Sequence, residues 1–154
     1  ADLSVGLEEI RITTLHGALL AATISQSGSM ASPHLIATEK NILKLGIYHH
    51  TPEPLARISD GRIFAQLKDA MVKVIRERRG TGHRALLPAG PVTAAKTGTA
   101  GDPALGLDAV MMGFLPVDRP AFAFAFRLER GGKAELNGAR VLKALISGPL
   151  ARSE

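Results

Sequence analysis

Val92-Thr93-Ala94-Ala95-Lys96-Thr97-Gly98-Thr99, followed by Ala100-Gly101-Asp102-Pro103, decides how the rest of the chain is read. The residues before Lys96 have the composition of a short strand and those after Thr99 that of a turn, so Lys96 to Thr99 lie on extended backbone. A cation, two hydroxyls and a glycine in that setting suit a carboxylate-ended peptide. Lys96 can pair with the carboxylate, Thr97 and Thr99 can donate to it, and Gly98 has no Cβ to hold an extended ligand off the backbone. The stretch is a binding edge.

Downstream, Val110 to Leu115 and Ala121 to Leu128 have strand composition, and the five residues Pro116 to Pro120 between them are short enough for an antiparallel connection. In the second, Phe122, Phe124 and Phe126 alternate with Ala121, Ala123 and Ala125. Period two sets three rings on one face and three methyls on the other, which predicts an inner strand with something packed very close on its alanine side.

Upstream, Leu15, Ala18, Leu19 and Ala22 recur at helical spacing and predict a buried amphipathic helix from Thr14 to Ser27, capped by Thr13 or Thr14 and stopped by Gly28. From Ser29 to Ile58 the pattern breaks into short β-capable pieces, Leu35 to Thr38 and Leu45 to Tyr48, among Pro33, Gly46, Pro52 and Pro54. This predicts a surface excursion with a small hairpin. A long helix follows from about Gly61 to Arg79, with Ile63, Phe64, Leu67, Ala70, Met71, Val74 and Ile75 as one core stripe, Ser59 or Asp60 as cap and Gly80 as stop. Arg76-Glu77-Arg78-Arg79 at its end would offset the helix dipole. A last helix, about Leu136 to Ile146, presents Val141, Leu142 and Leu145 and stops at Gly148-Pro149. The order helix, excursion, helix, three strands, helix predicts an α+β fold around an antiparallel sheet, with residues 1–154 as a single unit.

At 154 residues and 45% hydrophobic content the chain can bury a substantial core. It has no apolar run near the about 18 residues of a membrane span and no basic-then-apolar leader, so an anchor or export signal is expected only outside this chain. The absence of cysteine excludes disulfides, thiol catalysis and zinc–thiolate sites. A net charge of +5 could favour nucleic acid, but the cations are dispersed and aromatics are only 4%, leaving few stacking platforms; no nucleic-acid partner is expected.

Taken in order, these pieces resemble the penicillin-binding protein transpeptidase family, whose fold is shared with serine β-lactamases and whose site is built from S-x-x-K, S-x-N and K-T-G elements. Ile12-Thr13-Thr14-Leu15-His16 with Ala18, then Gly28 and Ser32 to Ile36, look like the helix and segment that precede the last element. Gly80-Thr81-Gly82, Ala94 to Ala100, and Met112-Gly113-Phe114-Leu115-Pro116 follow in the family's order. No serine in the chain begins a Ser-x-x-Lys or a Ser-x-Asn. The resemblance therefore implies the C-terminal part of a transpeptidase domain, with the serine-bearing part upstream. Met111-Met112 stands where many members have an aromatic residue before the Gly-Phe of this strand.

The resemblance implies a peptidoglycan stem peptide or a β-lactam as ligand, an extracytoplasmic location, and no cofactor. Lys96 would supply positive potential, Thr97 and Thr99 would hold the terminal carboxylate, Gly98 would let the substrate run beside the strand, and the Thr99 N–H would be one oxyanion donor. The same residues would also serve a non-catalytic cell-wall peptide-binding module. Because half of a domain lacks neighbours, exposed apolar surface is expected.

Other readings of these residues fail on chemistry. Gly90 to Thr97 comes within one residue of a P-loop, but Ala95 replaces the required glycine and Gly98 to Pro103 cannot continue into a helix. His49-His50 on an extended segment would point to opposite sides and not share a metal ion. His83 could line a cleft but is left out of the catalytic set, and Asp102 and Asp108 are expected to be turn residues.

Overall fold

The computed structural model describes residues 12–35, 38–40, 46–49, 51 and 53–148. Three helices and a three-stranded antiparallel sheet organise it. α1 spans Thr14–Ser25, α2 Gly61–Arg76 and α3 Ala139–Ser147, and the sheet is made of β5 (Ala94–Ala100), β6 (Asp108–Leu115) and β7 (Phe122–Leu128) in the order β5-β6-β7. The α+β architecture is the one expected. The excursion is closed at its base by β1 (Ser29–Ala31) paired with β4 (Pro54–Arg57), and carries the expected hairpin as β2 (Thr38–Lys40) and β3 (Gly46–His49). Ile36, Ala37 and Leu45 of the expected pieces lie outside the described residues, and Leu35 is not in a strand. Pro54 is the first residue of β4, a position that tolerates a residue without an N–H to donate.

Local chemistry sets the helix starts. Thr13 Oγ1 accepts from the His16 N–H at 3.1 Å, and Asp60 Oδ1 accepts from the Arg62 and Ile63 N–H groups at 3.1 and 3.3 Å. Each satisfies donors that the first turn leaves without a helical partner. α1 ends before Gly28, whose φ of +104° and crowding against the Ile58 carbonyl only glycine tolerates. α2 ends at Arg76, three residues earlier than expected, so its last-turn cations are Lys73 and Arg76 while Arg78 and Arg79 stand in the following turn. The final helix is preceded by a single π-helical turn, Ala134–Gly138, which occupies the start of the stretch expected to be α-helical.

Register places the two faces of the sheet. Ala94, Phe114 and Ala123 lie opposite one another, as do Lys96, Met112 and Ala125; Thr97, Met111 and Phe126 form the neighbouring row on the other face. The alanine face receives α1, and a Cβ on Gly17 would stand 3.2 Å from the Ala125 Cβ. This is the close neighbour that the alternation of Phe and Ala predicts. The aromatic face packs with the core of Ile75, Ala85, Ala95, Met111, Leu142 and Ile146, against which Phe122, Phe124 and Phe126 lie half-buried.

β6 lies between β5 and β7 and is buried along most of its length, and among the described residues β7 pairs with β6 alone. Three expectations of which helix side chains are buried are corrected. α1 buries Gly17, Ala21 and Thr23, while Leu15 is 57% exposed, because only the small residues permit the approach to the sheet. In α2, Phe64, Met71 and Ile75 are buried but Ile63 and Leu67 remain 50% and 41% exposed, since the stripe is wider than the face the described residues cover. α3 likewise buries Ala139, Leu142 and Ile146, with Val141 and Leu145 only partly covered.

Candidate active site

β5 is an edge strand among the described residues, held along one side by β6 and supported beneath by α2. Its sequence folds this way because Ala94 and Ala95 are small enough to be fully buried where the strand enters the core, while Lys96 reaches solvent. Val92 O accepts from the Val117 N–H at 2.9 Å, tying the strand's entry to the β6–β7 loop.

The four expected site residues divide between the two faces of this edge. Lys96 is exposed on the α1 side, with Gly98 on the same face; Thr97 and Thr99 project to the other. A ligand strand laid along the edge would therefore run between a cation on one side and two hydroxyls on the other. Lys96 Nζ donates to the Thr97 carbonyl, which fixes the ammonium beside the strand. Thr97 is only 8% exposed, and its Oγ1 lies 2.6 Å from Thr81 Oγ1. Thr99 Oγ1 accepts from the Ala134 N–H at 3.3 Å. A Cβ on Gly98 would meet nothing nearer than the Val110 Cβ at 3.7 Å, so internal packing does not require glycine there.

Thr81 and the Ala134 N–H are partners of the site that sequence reasoning assigned no role. The signal was present for Thr81 as a lone hydroxyl between two glycines at the end of the long helix; nothing in the sequence signals a backbone donor from a π-helical turn. His83 is half-buried, and its Nδ1 donates to the Ile75 carbonyl at 3.1 Å, bracing the loop that carries Thr81. Asp102 is the expected turn residue, accepting from the Ala104 N–H at 2.8 Å. Asp108 is not: it opens β6, where its carboxylate accepts from the Arg130 N–H and from the Arg127 guanidinium. First the Arg130 hydrogen bond and then that of Arg127 hold its carboxyl below the ordinary aspartate range.

A cavity of about 1020 Å³ lies at the opposite end of the sheet, lined among others by Leu87, Pro91, Leu115, Phe122 and Ile146. It is largely apolar and excludes Lys96, so the convergent polar chemistry places the candidate site on β5. Among the described residues, no three His, Asp or Glu side chains are grouped to hold a metal ion; His50 and the His49 side chain lie outside them. No described helix is long and apolar enough to cross a membrane.

The chain is 32% identical over 136 residues to the peptidoglycan D,D-transpeptidase PbpA of Mycolicibacterium smegmatis, a match covering 84% of this chain and 26% of that protein. The crystal structure of PBPA from Mycobacterium tuberculosis superposes with a TM-score of 0.77 at 26% identity, covering 95% of this chain and 35% of that one. Its imipenem acyl-enzyme complex gives the same TM-score and identity, over 94% and 33% of the two chains. The chain thus spans about a quarter of the length of the curated relative and a third of the structural ones. Residues 1–147 match the penicillin binding protein transpeptidase domain, and the chain belongs to that family.

Proposed function

We propose that residues 1–154 are one unit, the C-terminal part of a D,D-transpeptidase domain acting in peptidoglycan cross-linking. The observation that carries this reading is the edge strand itself: Lys96, Thr97, Gly98 and Thr99 place a cation, two hydroxyls and an uncrowded glycine along a margin of β5 that no other described strand covers. The name and imipenem complex of the relatives point the same way.

In this reading a serine on the remainder of the domain attacks the penultimate D-alanyl carbonyl of a stem peptide. The carbonyl carbon becomes tetrahedral, its oxygen takes the negative charge, and collapse expels the terminal D-alanine with formation of an acyl-serine ester. An amine from a second stem peptide then displaces the serine. Residues of this chain bind and orient. Lys96 supplies positive potential, the hydroxyls of Thr97 and Thr99 hold the terminal carboxylate, and the Thr99 N–H stabilises the oxyanion, a role worth about 3 kcal/mol per donor elsewhere. Gly98 leaves room for the substrate's backbone. The partners are accordingly the stem peptide, β-lactams and the serine-bearing remainder of the domain, in an extracytoplasmic setting, with membrane contact only through an anchor outside this chain.

The test is covalent labelling of the natural full-length protein by a fluorescent penicillin. A labelled band resistant to denaturation supports the reading. A folded full-length protein that takes up no label would overturn it in favour of a non-catalytic peptide-binding module.

A further inference from the structure

The Thr81–Thr97 hydroxyl pair raises a question of direction. Each hydroxyl has one proton, and at 2.6 Å one of the two protons lies between the oxygens. If Thr97 were the donor, only its lone pairs would remain for a ligand, and lone pairs repel a carboxylate. If Thr81 is the donor, Thr97 keeps its proton for the ligand.

Thr81 is well placed for that second arrangement. It is solvent-exposed, so water can satisfy its own lone pairs, and its loop is pinned to the end of α2. The Gly80 N–H donates to the Glu77 carbonyl at 2.8 Å and the Gly82 N–H to the Val74 carbonyl at 3.0 Å. The flanking glycines sit so close to α2 that a Cβ would meet the Val74 carbonyl at Gly80 and the Ile75 Cδ1 at Gly82, 2.3 and 2.6 Å away. The Thr81 hydroxyl is therefore held from a fixed support.

Thr99 shows the same logic with no ambiguity. The Ala134 N–H can only donate, so it occupies a lone pair of Thr99 Oγ1 and leaves the Thr99 proton free. Both hydroxyls would then be fed from behind by a protein donor and turned forward as donors, next to an ammonium that has two protons left after its bond to the Thr97 carbonyl.

We infer that Thr81 is a positioning residue which, by donating to Thr97, fixes the Thr97 hydroxyl as a donor toward a carboxylate-bearing ligand. This rests on the proposed carboxylate role of the strand. Chains of hydrogen bonds also polarise one another, so the Thr81 bond strengthens the one Thr97 makes.

The experiment uses the full-length protein and measures acylation rates with a penicillin bearing its free carboxylate and with the corresponding methyl ester. The unsubstituted protein should strongly prefer the acid. Thr81→Val should lower the acid rate about tenfold, the scale of one hydrogen bond to a charged group, and leave the ester rate little changed. Thr81→Ser should retain the preference. In Thr97→Val, adding Thr81→Val should cost nothing further. Equal losses for acid and ester in Thr81→Val, or losses that multiply in the double variant, would overturn the inference. No acylation of the unsubstituted protein by either compound would instead strike at the proposed function, which separates the two failures.

Discussion

Asp108 and Arg127 join the start of β6 to the end of β7, with Arg127 Nε donating to Asp108 Oδ2 at 2.8 Å while Asp108 Oδ1 accepts from the Arg130 N–H at 2.8 Å. These bonds hold the Asp108 carboxyl below its ordinary value, the Arg130 N–H first among the causes. A folded-state value lowered in this way contributes stability that is complete above the unfolded value of about 3.9 and is lost as pH falls through the folded one. Asp108→Asn should therefore lower the melting temperature at pH 7, with the gap to the unsubstituted protein closing as pH drops below 4. A gap of constant size down to pH 2 would contradict the assignment.

Gly113, inside β6, lies where three strands converge. A Cβ there would fall 2.2 Å from the Ala94 carbonyl and 2.8 Å from the Phe124 Cζ, and the first contact is backbone that cannot turn aside. Gly113→Ala should destabilise the fold by about 2 kcal/mol or more, on the scale of overpacked cores. Denaturant unfolding at constant m-value measures it, and an unchanged midpoint would mean that β5 and β6 separate readily.

Asp60 caps α2 through two backbone donors and is exposed, so its removal tests the cap with little effect on packing. Asp60→Ala should cost about 1 kcal/mol, and Asp60→Ser most of a kcal/mol less than that. The same denaturant midpoints check the order of the two variants.

What the sequence made legible follows from which signals are local. The caps at Thr13 and Asp60, the stop at Gly28 and the short Pro116–Pro120 connection depend on neighbouring residues, and each stands where the pattern put it. The alternation of Phe122, Phe124 and Phe126 with alanines also reported true faces and a close partner, because side-chain size on a strand limits what can approach. It could not give the strand order, since that is set by pairing between distant segments. Leu15, Ile63 and Leu67 misled for a related reason: an apolar stripe states what can be buried, while Gly17 and Ala21 determined which face of α1 reached the sheet. At the site, Lys96 to Thr99 was readable as a donor-rich strand. Its supports, Thr81 and the Ala134 N–H, lie 16 and 35 residues from the threonines they touch, beyond any motif's reach.

Gly98 separates folding from binding in a way its neighbours cannot. Lys96, Thr97 and Thr99 all make bonds within the protein, so substitutions there mix both effects. At Gly98 a methyl would meet nothing nearer than the Val110 Cβ, at an ordinary contact distance of 3.7 Å, and the backbone there is not in the left-handed region. A strand glycine also carries an entropic cost that alanine relieves. Gly98→Ala should therefore leave stability within about 0.5 kcal/mol, or raise it slightly. On the proposed reading the same methyl stands on the Lys96 side of the edge, where an extended ligand must approach the backbone. Acylation of the full-length protein by a penicillin should then fall by roughly tenfold or more, because a displaced reacting carbonyl loses its alignment with the Thr99 N–H. A variant with unchanged melting temperature and unchanged acylation rate would remove Gly98 from the site and move the ligand away from this margin of β5.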